Sequence, residues 1–191
     1  MRGLVLTLSL LLSLAAPARS DDVTDQVNEA LTAYGKKDVP TAILGLEAAL
    51  ALLRQSRADG YGKMLPAAPG GWTADKTETI AMGGPMAALG TGVTRKYRKG
   101  EQTITVSILA DSPMMQMVVG LASSGFAAAA GVRTTIVGGR RMMYMNNDNA
   151  YMSVVADRVL VRVEGEHGTD EAVLKQFMTL VDFAGIEKLG K

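Results

Sequence analysis

Apolar positions recur at helical spacing through the first third of the chain. Between residues 23 and 34, Val23, Val27, Ala30, Leu31 and Tyr34 share a stripe, and Gly35 follows as a C-terminal stop. Asp38 then stands where a helix N-cap belongs, with Val39 and Pro40 in the first turn. A second stripe follows, made of Ile43, Leu46, Ala49, Leu50 and Leu53. The two runs predict a helical hairpin over residues 21–57. Periodicity then stops, because Gly60, Gly62, Pro66, Pro69, Gly70 and Gly71 punctuate a linker over residues 58–71.

From residue 72 the period shortens to two. A first strand is expected over 72–78, and residues 93–98 and 101–110 flank a turn at Lys99 and Gly100. Ile104, Val106 and Ile108 alternate there with Thr103, Thr105 and Ser107, the pattern of a hairpin with one buried face. Ser112 and Pro113 open a helix to about residue 123, striped by Met114, Met117, Val118 and Leu121. Residues 132–137, 140–145, 151–156 and 159–164 predict four short strands. Their connections (Gly138-Gly139, residues 146–149, and Asp157-Arg158) are short enough to allow only antiparallel neighbours, which makes a meander. Thr169 is placed to cap a last helix to about Ala184, with Val173, Leu174, Phe177, Leu180, Val181 and Ala184 inward. The expected class is α+β: residues 72–191 form an antiparallel sheet, a hairpin plus a four-strand meander, packed by helices and preceded by the N-terminal helical hairpin.

In this order of elements, residues 72–184 resemble the PsbP-like fold of small exported bacterial α+β proteins. The likeness rests on the hairpin at 97–108, the Gly138-Gly139 turn and Asp157-Arg158 ahead of the final strand. It implies an accessory or binding role and transfers no site residues. The 21–57 hairpin resembles one tetratricopeptide repeat, with Ala30, Ala42 and Ala49 as the small residues and Leu46 as the large one. It lacks that family's tryptophan, glycine and closing proline, and one unit cannot stack into a solenoid, so the hairpin is expected to act as a cap.

The first twenty residues change the picture. Arg2 precedes an apolar run over 3–16, interrupted by Thr7, Ser9 and Ser13, and small residues follow through Ala18 and Ser20. That layout is expected to be a secretory signal peptide cleaved after Ser20 or Ala18, since a membrane span needs about 20 apolar residues. The protein is therefore expected to be periplasmic or secreted, with no transmembrane anchor after cleavage. Loss of Arg2 and Arg19 leaves eighteen basic against nineteen acidic side chains, a balance without general attraction for nucleic acid. The 191 residues include no cysteine and one histidine, which removes disulfides, thiolate chemistry and multi-histidine metal sites.

Candidate chemistry is correspondingly sparse. Met114, Met115 and Met117 and then Met142, Met143, Met145 and Met152 could offer thioethers to Cu(I). Along one strand, however, only Met143 and Met145 share a face, and methionine is a common core filler. His167 lies in a polar turn beside Glu164 and Glu166. Asn146, Asn147, Asp148 and Asn149 lack an EF-hand's glycine and terminal glutamate and read as a tight turn. The glycine-rich 83–92 stretch has no phosphate-loop ending and reads as a flap or an edge connection. Arg133, Arg140, Arg141, Arg158 and Arg162 all belong to the meander and are the candidate binding residues, a basic patch for an anion or an acidic partner; the alternative is a solvated sheet face paired with Glu164 and Glu166. No catalytic, cofactor or metal residue is assigned. The expected function is a non-catalytic binding or accessory protein of the cell envelope, acting through the open sheet face with the 83–92 loop or through a groove between hairpin and sheet. Its partner would be an envelope protein or a small apolar ligand. A carrier would instead need an apolar pocket lined by Met114, Met117, Met143 and Phe177. An envelope hydrolase would need Asp111, Asp157 or Glu164 to converge on a hydroxyl.

Overall fold

The computed structural model describes residues 22–80, 91–111, 115, 120, 131–166 and 168–190. The expected signal peptide, most of the glycine-rich stretch, most of the helix after Ser112, and His167 lie outside the described residues. The chain forms two compact units, one ending at Leu50 and the other beginning at Ala51.

In the first unit, α1 (Asp22–Gly35) and the opening of α2 (Val39–Gly62) make the expected hairpin. Asp38 caps α2 by accepting a hydrogen bond from the Thr41 N–H at 3.2 Å. The helices meet through small side chains: Ala30 and Ala33 of α1 against Ala42, Gly45 and Ala49 of α2, all buried. A Cβ on Gly45 would stand 3.0 Å from that of Ala30, so the backbones approach closely. Such an approach leaves no room for branched side chains in the seam. Leu31, Tyr34, Ile43, Leu46 and Leu50 are therefore exposed, although they belong to the apolar stripes of the sequence.

The second unit begins inside α2, which runs five residues past the expected end near Arg57. Gly60 reads as a breaker but serves as a contact, since a Cβ there would lie 2.6 Å from Leu189 Cδ2. Ala58 and Tyr61 on the same turns are buried, so tertiary packing overrides the weak helix propensity of glycine. The strands are β1 (Thr73–Ala74), β2 (Glu78–Ile80), β3 (Thr91–Lys99), β4 (Gln102–Ala110), β5 (Val132–Val137), β6 (Arg140–Met145), β7 (Ala150–Val155) and β8 (Val159–Gly165). All neighbours are antiparallel in the order β1-β3-β4-β8-β7-β6-β5, with β2 also on β3. The single first strand expected at 72–78 is split in two. Between the halves Arg98 ion-pairs with Asp75 at 2.6 Å, and the Arg95 Nε donates to Thr77 Oγ1 at 2.9 Å. Gly138 and Gly139 both take positive φ, 58° and 78°, as a two-residue hairpin between β5 and β6 requires.

Hairpin and meander become one sheet where β4 pairs with β8 from Ile104↔Gly165 to Ala110↔Val159. This register lines up Ile104, Val106, Ile108, Val159, Val161 and Val163 on one face, all buried. Two helices cover it, α3 (Glu171–Leu180) and α4 (Phe183–Leu189), where one was expected to Ala184. The break has a local cause: Val181 is extended, and Asp182 caps α4 by accepting from the Gly185 N–H at 2.9 Å. Asp170, not Thr169, caps α3. Phe177 sits fully buried at the centre, edge-on to Trp72 at 5.0 Å and to Tyr97 at 4.9 Å between ring centroids. The Tyr97 hydroxyl donates to the Pro66 carbonyl at 2.7 Å, so the aromatic cluster carries no unpaired polar atom there. Replacement Phe177→Ala is expected to cost about 3–5 kcal/mol in urea denaturation. Ile136→Ala, at a position 74% exposed, is expected to stay within about 0.5 kcal/mol of the parent.

Candidate functional site

The face of the sheet away from α3 and α4 is chemically divided. Alternation puts Thr94 and Lys96 of β3, Thr105 and Ser107 of β4, and Arg162 and Glu164 of β8 on it. Register turns them into two rows, Thr94-Ser107-Arg162 and Lys96-Thr105-Glu164. Thr94 and Ser107 share a hydroxyl hydrogen bond of 3.0 Å. Beyond β8 the same face becomes apolar, with Met152 and Met143 paired across β7 and β6.

A groove of about 720 Å³ lies at the polar end, lined by Lys96, Thr105, Asn147, Asp148, Glu164, Gly165 and Glu166. The tight turn at 146–149 thus does more than reverse the chain, since two of its side chains form a wall. Arg162 anchors the carboxylates, with Nη2 at 3.4 Å from Asp148 Oδ2 and 3.1 Å from Glu164 Oε2. Its Nε is buried and has no hydrogen-bond partner among the described residues. Three carboxylates against Lys96 and Arg162 leave the groove acidic, with the Thr105 hydroxyl and the Asn147 amide to direct hydrogen bonds. Among the described residues no group of three or more His, Cys, Asp and Glu side chains could hold a metal ion.

A second constellation fastens α3 to the sheet. Glu171 accepts from the Tyr151 hydroxyl at 2.5 Å, from Lys175 at 3.0 Å and from Arg133 at 2.8 Å. Arg133 also lies over the Tyr144 ring, 4.8 Å from its centroid. The Tyr144 hydroxyl donates to Asn149 Oδ1 at 2.8 Å, and the Asn149 amide donates to the Thr169 carbonyl at 3.1 Å. Hydrogen bonds from Tyr151 and Lys175, and then the Arg133 guanidinium, hold the Glu171 pKa down at about 2. Burial, followed by the bond to Glu171, pushes the Tyr151 hydroxyl up. The cluster is a fastening whose donors are already satisfied by the protein.

The five meander arginines do not converge. Arg133 is on the helical face with Glu171. Arg140 pairs with Glu187 at 2.6 Å and stacks on Phe183. Arg141 points to the opposite side of β6 and is exposed. Arg162 is on the open face. Arg158, in the β7–β8 turn, shares Asp111 with Arg57, at 3.0 Å and 2.8 Å. Burial pushes the Asp111 pKa up, but hydrogen bonds from Arg158 and Arg57 outweigh it and hold the group below its ordinary value. Four of the five thus face carboxylates of their own chain. The three candidate hydrolase carboxylates are separated as well, with Asp111 and Asp157 at one end of β8 and Glu164 at the other.

Pairing of β6 with β7 brings Met152 beside Met143, with Met145 on the same face. Met115 joins them in a cluster with Leu109, Val132 and Leu160. Met142 lies on the opposite face, in the cluster that contains Phe177. Met143 and Phe177 are therefore on opposite sides of the sheet and line no common pocket; Met114 and Met117 lie outside the described residues. Asp148 was read only as part of a tight turn and Thr105 only as a polar position of the hairpin, and Lys96 was not singled out in the sequence. The turn lies at Gly100-Glu101, one residue later than expected, because Lys99 still pairs with Gln102; this shift sets Lys96 opposite Thr105, where a turn at Lys99-Gly100 would have set it opposite Thr103, and nothing local implies that β8 lies beside β4.

No protein-family model matches the chain, and no curated protein or solved structure matches it either.

Glu171 generates a pH prediction. A folded-state pKa below the ordinary carboxylate value stabilises the protein fully above that range, and the contribution is lost as pH falls towards about 2. Thermal melts followed by circular dichroism should show the parent losing more stability than Glu171→Gln between neutral pH and pH of about 3. The methionine cluster generates another: Met143→Leu with Met152→Leu conserves volume and should change unfolding free energy by less than about 1.5 kcal/mol per site.

Proposed function

We propose that the chain is an exported, non-catalytic binding protein of the cell envelope that takes a cationic, polar segment of a partner protein into the groove on its open sheet face. One observation carries this reading. Asp148, Glu164 and Glu166 gather around an open depression of about 720 Å³, with hydrogen-bonding groups at Thr105 and Asn147. A ligand there meets fixed charge, because Arg162 already orients two of the carboxylates, and preorganised polar groups lose little entropy on binding. Export is supported by the basic start, the apolar run and the small residues that end at Ser20. The layout-level resemblance to PsbP-like proteins points the same way.

The reading is tested by titrating the purified protein with an oligolysine peptide while following backbone amide signals. Shifts should concentrate at Lys96, Thr105, Asn147 and Glu166, weaken with salt, and diminish in Glu164→Gln and Asp148→Asn. Absence of shifts in the groove at low salt would remove the proposal. Intact-mass measurement of protein from a bacterial cell envelope should find a chain beginning at Asp21 or Arg19.

A further inference from the structure

We propose that the helical hairpin of the first unit is a self-association surface, and that two copies of the chain pair through it to form a four-helix arrangement. The proposal starts from an anomaly of burial. Leu31 is 62% exposed, Tyr34 69%, Val39 50%, Ile43 50%, Leu46 54% and Leu50 44%, while the contact between the helices is made by alanine and glycine. The large apolar side chains point away from the seam between the two helices.

Helical geometry gathers these six on one wall. At about 100° per residue, Val39, Ile43, Leu46 and Leu50 fall within roughly 60° of one another on α2, about a quarter turn from the Ala42, Gly45 and Ala49 line. On α1, Leu31 and Tyr34 lie to the same side of the line through Ala30 and Ala33, because two antiparallel right-handed helices present opposite senses of rotation at their contact. Leu44 is as exposed, at 64%, but projects from the other side of α2.

Three features select a second copy as the occupant. The spacing is 4-3-4 on α2 and 4-3 on α1 from Val27 through Leu31 to Tyr34, the repeat whose side chains interlock with those of another such helix. The wall carries no charged side chain, so it meets its own copy without like-charge conflict. Asp22, Asp25 and Glu29 line the other side of α1, with Asp22 half a turn from Leu31, and that acidic back disfavours an anionic bilayer. The area also fits: at about 100 Å² each the six side chains offer on the order of 600 Å², near the roughly 800 Å² per partner of a stable interface.

Sedimentation velocity and light scattering on the purified protein, over a concentration series, test this directly. The parent should be a dimer, Ile43→Glu with Leu46→Glu should weaken it by at least about tenfold, and Leu44→Glu should leave it unchanged. All three positions are exposed, and circular dichroism melts will show whether the fold is kept. Leu46→Cys gives an independent readout in a chain without other cysteines: oxidation should yield a disulfide-linked dimer. A monomer at all concentrations would overturn the proposal, as would a dimer indifferent to the glutamates at 43 and 46 or one equally sensitive at 44. A monomer that co-sediments with phosphatidylethanolamine and phosphatidylglycerol vesicles through this wall would overturn it in favour of lipid.

Discussion

The pairing of β4 with β8 is the constraint on which the second unit depends. Side chains on a strand alternate between faces, so a slip of one residue in this register would turn every core valine of β8 outward. In the register observed, Val161 opposes Ile108 and Val163 opposes Val106 under α3 and α4, while Glu164 opposes Thr105 on the other side. Core and groove are two readings of one alignment. The hydrophobic face fixes it, because burying apolar side chains outweighs anything the exposed threonines contribute. The position of the acidic groove is thus inherited from the packing behind it.

Much of this was legible in the sequence, and the part that was not has a physical pattern. The meander and the β3–β4 hairpin follow from period-two alternation with glycine-bearing turns between the runs; β5 and β6 agree with expectation to the residue, while the first turn falls at Gly100-Glu101 rather than at Lys99-Gly100. Helix ends followed less well. Gly60 was read by its local preference, but the decisive contact, Leu189, lies far along the chain. The break at Val181 depends on Asp182 competing for the Gly185 N–H, which a periodic apolar stripe hides. The site was only partly visible: Glu164 and Arg162 drew attention as charges, yet their neighbours Asp148 and Lys96 arrive from a turn and from a strand that only the three-dimensional register brings near. The basic patch failed to assemble for a related reason. Along the meander only nearby Glu164 and Glu166 offer themselves as partners; Glu164 does pair with Arg162, but Glu171, Glu187 and Asp111 come from other elements, and only folding sets them against the arginines.

The two units solve the burial problem in opposite ways. In the second, large residues such as Phe177, Tyr97 and Tyr151 fill the interior and small ones lie between them. In the first, alanines and a glycine form the interior, and leucines and isoleucine are left outside. A hydrophobic stripe therefore carries different information in the two cases. On α3 it marks Leu174 and Phe177 as core. On α2 the equally regular stripe marks a surface.

The strand order also has a kinetic consequence. The hairpin and the meander each close over a few residues, but β4 and β8 join positions roughly fifty to sixty apart, and ordering that much intervening chain makes the junction a slow step of folding. Until it forms, both strands present unpaired backbone edges carrying Val106, Ile108, Val159, Val161 and Val163, a combination prone to β-aggregation. The same valines and isoleucine that define the native register are the side chains an unjoined chain would expose.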